Sequence, residues 1–330
     1  MIIVILLILI ALVFDFYNGM NDAANSIATV VSTKVLSPLQ GVAWAAFFNF
    51  ISAFIFGVHV ANTIGKGIVD PSIVDNTLIF SALVGAIILT ATATHNGLPI
   101  SVSHAIIGGF AGAGVSKGGL QALITGGIVK VIIFIFLSPL IGFLLGLIIS
   151  ISTLWIVRNQ PPKKVDKSFR QLQLISAAAY SMGHGTNDAQ KTMGIIAVLL
   201  YSNGLLKEFY VPFWVVISCH IAIALGTLTG GWKVIRTLGM RVTKLRPFHG
   251  FSAEFSAALT LFGASSFGIP VSTTHTITGS IIGVGSIQNF SAVKWGVAKN
   301  IIIAWILTIP LSALFASITF YLVKFIVRGF

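Results

Sequence analysis

Charge is what this sequence has least of. Only 8% of its 330 residues are charged, and only eight are Asp or Glu. A soluble domain carries about 25% charged residues. With 56% hydrophobic residues and a mean hydropathy of +0.98, the chain is excluded from the soluble and the disordered classes and reads as a multi-pass integral membrane protein in the lipid bilayer. Cysteine is nearly absent too. The single Cys219 excludes an intrachain disulfide and a cysteine-based metal cluster. The apolar start, residues 1–13, has no basic leader and no small-residue cleavage site, so it reads as a retained span. The net charge of +12 would suit nucleic acid, but its distribution excludes that partner. Arg158, Lys163, Lys164, Lys167 and Arg170 share one segment, and Lys233, Arg236, Arg241, Lys244 and Arg246 another. Both lie between apolar stretches, the pattern of positive-inside topology. The basic loops 158–170 and 233–246 are therefore placed in the cytoplasm and both termini outside, in a cell (plasma) membrane protein.

Scarce acids are informative acids. A carboxylate inside a membrane-length apolar run costs about 2.5–3.5 kcal/mol on insertion scales and marks a functional site by default. Two such acids sit in matching nonapeptides. Asn18-Gly19-Met20-Asn21-Asp22-Ala23-Ala24-Asn25-Ser26 is followed much later by His184-Gly185-Thr186-Asn187-Asp188-Ala189-Gln190-Lys191-Thr192. A glycine beside an Asn-Asp pair is a natural helix break, so each copy is expected to interrupt its helix. Asp15 is a weaker candidate of the same kind, and Glu254 a third intramembrane acid whose first-half counterpart is Leu83.

A second doubled element follows. Gly97-Leu98-Pro99-Ile100-Ser101-Val102-Ser103-His104 and Gly268-Ile269-Pro270-Val271-Ser272-Thr273-Thr274-His275 share one offset, and each leads into a glycine-rich run. The runs are too short for an ordinary span of about 20 residues, so each region is expected to form a re-entrant helical hairpin. Spans are expected over residues 2–17, 40–64, 77–95, 210–232 and 251–267. The overlong stretches 122–157 and 292–327, with Pro139 and Pro310 inside, each read as two short spans. The fold class is thus all-α, with two inverted repeats, each with a broken helix and a re-entrant hairpin. Residues 1–157 form the first repeat, 158–170 a basic cytoplasmic linker and 171–330 the second. An odd number of crossings per half, about five, would invert the halves; four would leave them parallel. Inverted repeats with broken helices are a recurring plan of secondary transporters.

The hairpins and the signatures call for different ligands. Proline followed by hydroxyl residues is a helix start, and free N–H groups at such an end favour an anion. Ser101, Ser103, Ser272, Thr273 and Thr274 would add hydroxyl donors around one tetrahedral oxyanion, with Asn25, Gln190 and Lys191 beside them. Asn21, Asp22, Asn187 and Asp188 offer hard oxygens suited to a small cation or a transferable proton. Glu254, His104 and His275 are assigned to coupling or to the pathway. The alternative for the hydroxyls and acids is plain helix capping.

Residues 19–29 and 184–194, with the two Pro-x-Ser-x-Ser/Thr-His hairpins, resemble the paired signature of the inorganic phosphate transporter (PiT) family over essentially the whole chain. The resemblance implies a secondary active transporter, not an enzyme. It would import inorganic phosphate by symport with sodium ions (or protons), need no other cofactor, and assemble as a homodimer. The first signature departs from the family in Met20, where a small residue is frequent. The family also includes sulfate carriers. Phosphate at neutral pH keeps a proton to give to a fixed carboxylate, whereas sulfate has none, and this favours phosphate. A divalent phosphate would need about two monovalent cations for neutral transport, and two Asp sites fit two. Two rivals stand. An intramembrane hydrolase would need one nucleophile where this chain duplicates its Ser and His, and no Gly-x-Ser-x-Gly elbow is present. An anion channel could also use helix N-termini, but intramembrane acids beside the anion site argue for cation coupling.

Overall fold

The structure is a computed structural model that describes residues 1–55, 57–241, 245–287 and 293–328. Lys244 lies outside the described residues, as does the side chain of Arg241. The described residues form α-helices and no strands. In chain order these are α1 (Ile2–Ser32), α2 (Pro38–Ile51), α3 (His59–Gly67), α4 (Asn76–Asn96), α5 (Val102–Gly118), α6 (Thr125–Val157), α7 (Pro162–Ser202), α8 (Phe213–Thr229), α9 (Trp232–Arg241), α10 (Pro247–Ser266), α11 (Thr273–Ser286) and α12 (Trp295–Arg328). The order of α7–α12 follows that of α1–α6: a long signature helix, two shorter helices, a helical hairpin, and a long helix with an internal proline. Among the described residues four helices, α1, α4, α6 and Trp295–Ile326 of α12, are long and apolar enough to cross a membrane.

The two helical hairpins form where the sequence puts them. Gly97 and Gly268 take left-handed φ values of 72° and 64°, which turn the chain after α4 and α10. Ser101 and Ser272 then cap α5 and α11, each hydroxyl accepting the N–H of the histidine three residues on, His104 and His275, at 3.2 Å.

The expected helix breaks are absent. Both signatures lie inside unbroken helices, α1 of 31 residues and α7 of 41. Their glycines serve close helix contact instead of backbone bending. A Cβ at Gly19 would clash with the Ile223 carbonyl of α8, and one at Gly185 would stand 2.7 Å from the Asn49 carbonyl of α2. Small residues at crossings are how helices approach in a membrane, where no hydrophobic force pulls them together.

The overlong stretches are likewise single helices. Pro139 lies inside α6 and Pro310 inside α12. A proline frees the carbonyl four residues earlier. In α6 that carbonyl, Ile135, accepts a bond from His275 Nδ1 at 3.3 Å, so a neighbouring hairpin meets the need that a chain break would otherwise meet. Span 40–64 is divided into α2 and α3, whereas span 210–232 holds the single helix α8, and α9 starts only at its end, at Trp232. The two basic loops are partly helical: α7 begins at Pro162 and α9 runs to Arg241. At 41 residues α7 is roughly 61 Å long, about twice a hydrocarbon core of about 30 Å.

Each hairpin packs on the long helix of the other half. α5 lies against α12, where Cβ atoms at Gly108 and Gly112 would meet the backbone of Ile309 and Ala313. α11 lies against α6, where Gly279 and Gly283 face Pro139 and Phe143. α1 and α7 run through the middle and touch each other and both hairpin helices.

Gly226→Val tests these crossings, since its side chain would clash with the Phe16 carbonyl of α1. It is expected to destabilise the protein by about 1–3 kcal/mol, read as a lowered unfolding temperature in detergent. Gly263→Ala, with nothing within 4 Å, is expected to stay within about 0.5 kcal/mol of the wild type.

Candidate functional site

Because α7 is continuous, His184, Asp188 and Lys191 fall at helical spacing on one face. Asp22 and Asn25 occupy the same face of α1. The starts of α5 and α11 are brought against these two faces, and all of these side chains are buried, Asp188 and His184 completely.

The contacts repeat with a two-fold pattern. Asn21 donates to Thr94 of α4 at 2.8 Å, and Asn187 donates to Ser265 of α10 at 3.0 Å. Thr274 stands 3.2 Å from Asp22 Oδ1 and 3.1 Å from the Ile100 carbonyl. Ser103 stands 3.4 Å from Asp188 Oδ1 and 3.3 Å from the Val271 carbonyl. The tip of each hairpin therefore reaches the backbone of the other, and both rest on the signature carboxylates. Thr273, whose first-half counterpart is Val102, breaks the pattern. Its hydroxyl lies 3.0 Å from Asp188 Oδ2 and 3.3 Å from Asp22 Oδ2, joining the two carboxylates. Tyr180 donates to the Thr273 carbonyl at 3.3 Å.

Cationic groups meet these acids. Lys191 Nζ forms a very short ion pair with Asp188 Oδ1 and donates to Ser103 Oγ at 2.5 Å and to the Val271 carbonyl at 3.0 Å. His184 Nε2 lies 3.2 Å from Asp188 and 3.9 Å from Asp22, while its Nδ1 faces Asn49 Oδ1 at 3.0 Å. One ligand atom each from Asp22, His184 and Asp188 fall within 4.8 Å of one another, close enough to share a metal ion. Oδ1 of Asn21, Asn25 and Asn187 are buried without hydrogen-bond partners among the described residues. Orphaned amide oxygens beside two carboxylates are the donor set that a hard monovalent or divalent cation takes.

The structure gathers Asp22, Asn25, Ser103, Asp188, Lys191, Thr273 and Thr274 in one place, and turns the Asn21 and Asn187 amides to Thr94 and Ser265 beside it. It puts Ser101 and Ser272 at the rim as helix caps. Gln190 points elsewhere: its Oε1 accepts from Val60 and Ala61 at 2.7 and 3.2 Å, capping α3, and its Nε2 donates to the Gly57 carbonyl. His104 and His275 meet edge to face at 4.7 Å behind the tips, and His275 also stacks on Trp305. Glu254 lies in a separate buried polar cluster, accepting from Thr29 and Ser176 at 2.5 Å each and from Gln173 at 3.0 Å. Sequence reasoning missed His184, Asn49, Thr94 and Ser265. His184 stood four residues before Asp188, an i, i+4 signal that the expected helix break concealed.

Two hairpin starts laid across paired signature acids are the arrangement that the sequence signature anticipated, and residues 18–316 match the model of the phosphate transporter family. The chain belongs to that family. Its members are membrane transporters of phosphate, not enzymes. The chain is 56% identical over 316 residues to a probable low-affinity inorganic phosphate transporter of Rhizobium meliloti (strain 1021), covering 96% of this chain and 95% of that protein. It is 43% identical to a protein of the same description from Bacillus subtilis (strain 168), covering 99% and 98%. Among solved structures it is similar to one described as the sodium-dependent phosphate transporter. That likeness has a TM-score of 0.89 at 29% identity, over 99% of this chain and 100% of that one.

The Asp188–Lys191 pair gives a stability test, because breaking a buried pair leaves one charge uncompensated. Asp188→Asn is expected to destabilise this transporter by about 3–5 kcal/mol, and Lys191→Met added to it to restore most of the loss. A double-mutant cycle of thermal unfolding midpoints measures both.

Proposed function

We propose that this transporter imports inorganic phosphate by secondary active symport with a cation, sodium favoured over the proton. The observation that carries the reading is the state of the hydroxyls. Ser103, Thr273 and Thr274, at the ends of helices whose free N–H groups favour an anion, have carboxylates within hydrogen-bonding range. A cation on Asp22 or Asp188, held with Asn21 and Asn187, would take over those carboxylate oxygens and release the hydroxyls to donate to phosphate. Cation binding would then prepare the anion site, and each ligand would raise the affinity for the other by the same factor. Phosphate would further give its own proton to a carboxylate, which sulfate cannot. The sodium dependence named in the description of the similar solved structure supports sodium.

The same reading takes residues 1–157 and 171–330 as inverted repeats about the segment 158–170, with basic segments cytoplasmic, termini outside, and the protein a homodimer. Glu254 is assigned to the pathway. It joins α1, α7 and α10 on one side of the central site, and the repeat counterparts of Thr29, Gln173, Ser176 and Glu254 are Ile195, Leu7, Ile10 and Leu83, all apolar.

Labelled phosphate uptake into proteoliposomes tests the proposal. An inward sodium gradient is expected to drive accumulation, with little competition from excess sulfate. Uptake with a proton gradient alone would reassign the cation, and accumulation indifferent to every cation gradient would overturn symport. Asp22→Asn is expected to lower uptake at subsaturating cation by about tenfold or more, as a charge-assisted contact is worth about 1.5–3 kcal/mol.

A further inference from the structure

We infer that the Lys191 ammonium is a tethered cation filling one of two equivalent cation positions, so that this transporter couples one external cation, not two, to each phosphate. The inference rests on the symport reading above and concerns its stoichiometry.

The two positions correspond residue by residue. In the signatures Asp22 corresponds to Asp188 and Asn25 to Lys191; in the hairpins Ile100 corresponds to Val271 and Ser103 to Thr274. At the first position Thr274 Oγ1 lies 3.2 Å from Asp22 Oδ1, receives Asn25 Nδ2 at 2.9 Å, and lies 3.1 Å from the Ile100 carbonyl. At the second, Ser103 Oγ lies 3.4 Å from Asp188 Oδ1, receives Lys191 Nζ at 2.5 Å, and lies 3.3 Å from the Val271 carbonyl. The same four roles are filled on both sides. Within these four roles the difference in charge is one side chain, a neutral amide against an ammonium.

That ammonium is coordinated as a small cation would be. Nζ contacts a carboxylate, a hydroxyl and a backbone carbonyl, three hard oxygens from α7, the start of α5 and the tip before α11. Three contacts use the three donors of an ammonium. Lys191 is only 1% exposed, so no water competes for it. At the Asp22 position the oxygens stand without a cationic side chain of their own α1 residues, and the buried Asn21 and Asn25 amide oxygens have no hydrogen-bond partner among the described residues. His184, the other basic group nearby, lies nearer Asp188 than Asp22. The Asp22 position is the one left for an ion from solution.

A tethered charge neutralises a carboxylate without being drawn from the gradient. It therefore fills a position while adding nothing to the driving force. This revises the expectation of two cations taken from the two Asp residues alone. One external cation matches the monoanionic form of phosphate in charge.

The test is a zero-flux measurement in proteoliposomes clamped at zero membrane potential. The phosphate gradient that just balances a set sodium gradient is found, and a pH gradient replaces sodium if only protons drive the wild type. Wild type is expected to balance a tenfold cation gradient with about a tenfold phosphate gradient. Lys191→Asn, which copies the first half, is expected to balance it with about a hundredfold one. Asn25→Lys, which copies the second half, is expected to show no cation dependence. A hundredfold balance in wild type overturns the inference without any variant, and so does an unchanged balance in an active Lys191→Asn. Absence of cation-driven uptake in wild type overturns the symport reading and this inference with it, and is seen before any variant is compared.

Discussion

Everything in this molecule is arranged so that two carboxylates can be held at the centre of an apolar chain. Asp22 and Asp188 are buried with almost no water around them, in a protein with eight acids in all. A buried charge is tolerated only when it is paired and hydrogen-bonded. The hydroxyls of Ser103, Thr273 and Thr274, the Lys191 ammonium and the His184 ring supply that environment. The hydroxyls come from hairpins whose glycines let them lie flat on neighbouring helices, and the signature helices stay unbroken so that their polar faces line up. The helix crossings and the site are therefore one construction.

The hairpins were legible in the sequence because their signals are local. A glycine able to take positive φ, a proline and a capping serine specify a turn and a helix start whatever surrounds them, and both copies formed as expected. The grouping of signature acids with hairpin hydroxyls was legible as well, through repetition. The continuity of α1, α6, α7 and α12 was not. Glycine inside a helix and proline inside a helix each have two meanings, a break or a contact, and the choice lies with the partner. The partner of Gly19 is a carbonyl of α8, and the partner of the carbonyl freed by Pro139 is His275; both are more than 130 residues away in sequence. Gln190 was misjudged for the same reason. Adjacency to Asp188 and Lys191 put it in the motif, yet a helix turns by about 100° per residue, and its side chain leaves that face to cap α3.

Some contacts at the site come in matched pairs and others do not. The crossing contacts of the hairpin tips, Thr274 to Ile100 and Ser103 to Val271, are matched, as are those of Asn21 and Asn187. Thr273 against Val102, Lys191 against Asn25, and the Glu254 cluster against apolar counterparts are not. The matched contacts supply the geometry, and these few positions give the two sides of the site different electrostatics.

The exchange of partners between halves has a consequence for motion. Because α5 lies along α12 and α11 along α6, a shift of either hairpin would have to break that packing or carry its long helix along, and each long helix belongs to the opposite half of the chain. The natural rigid bodies are hybrids, α4 and α5 with α12, and α10 and α11 with α6, interleaved like clasped hands. The chain's midpoint is therefore not a mechanical hinge. Severing the covalent link near residue 160 would leave two fragments that must refold around each other, because each holds the packing partner of the other's hairpin.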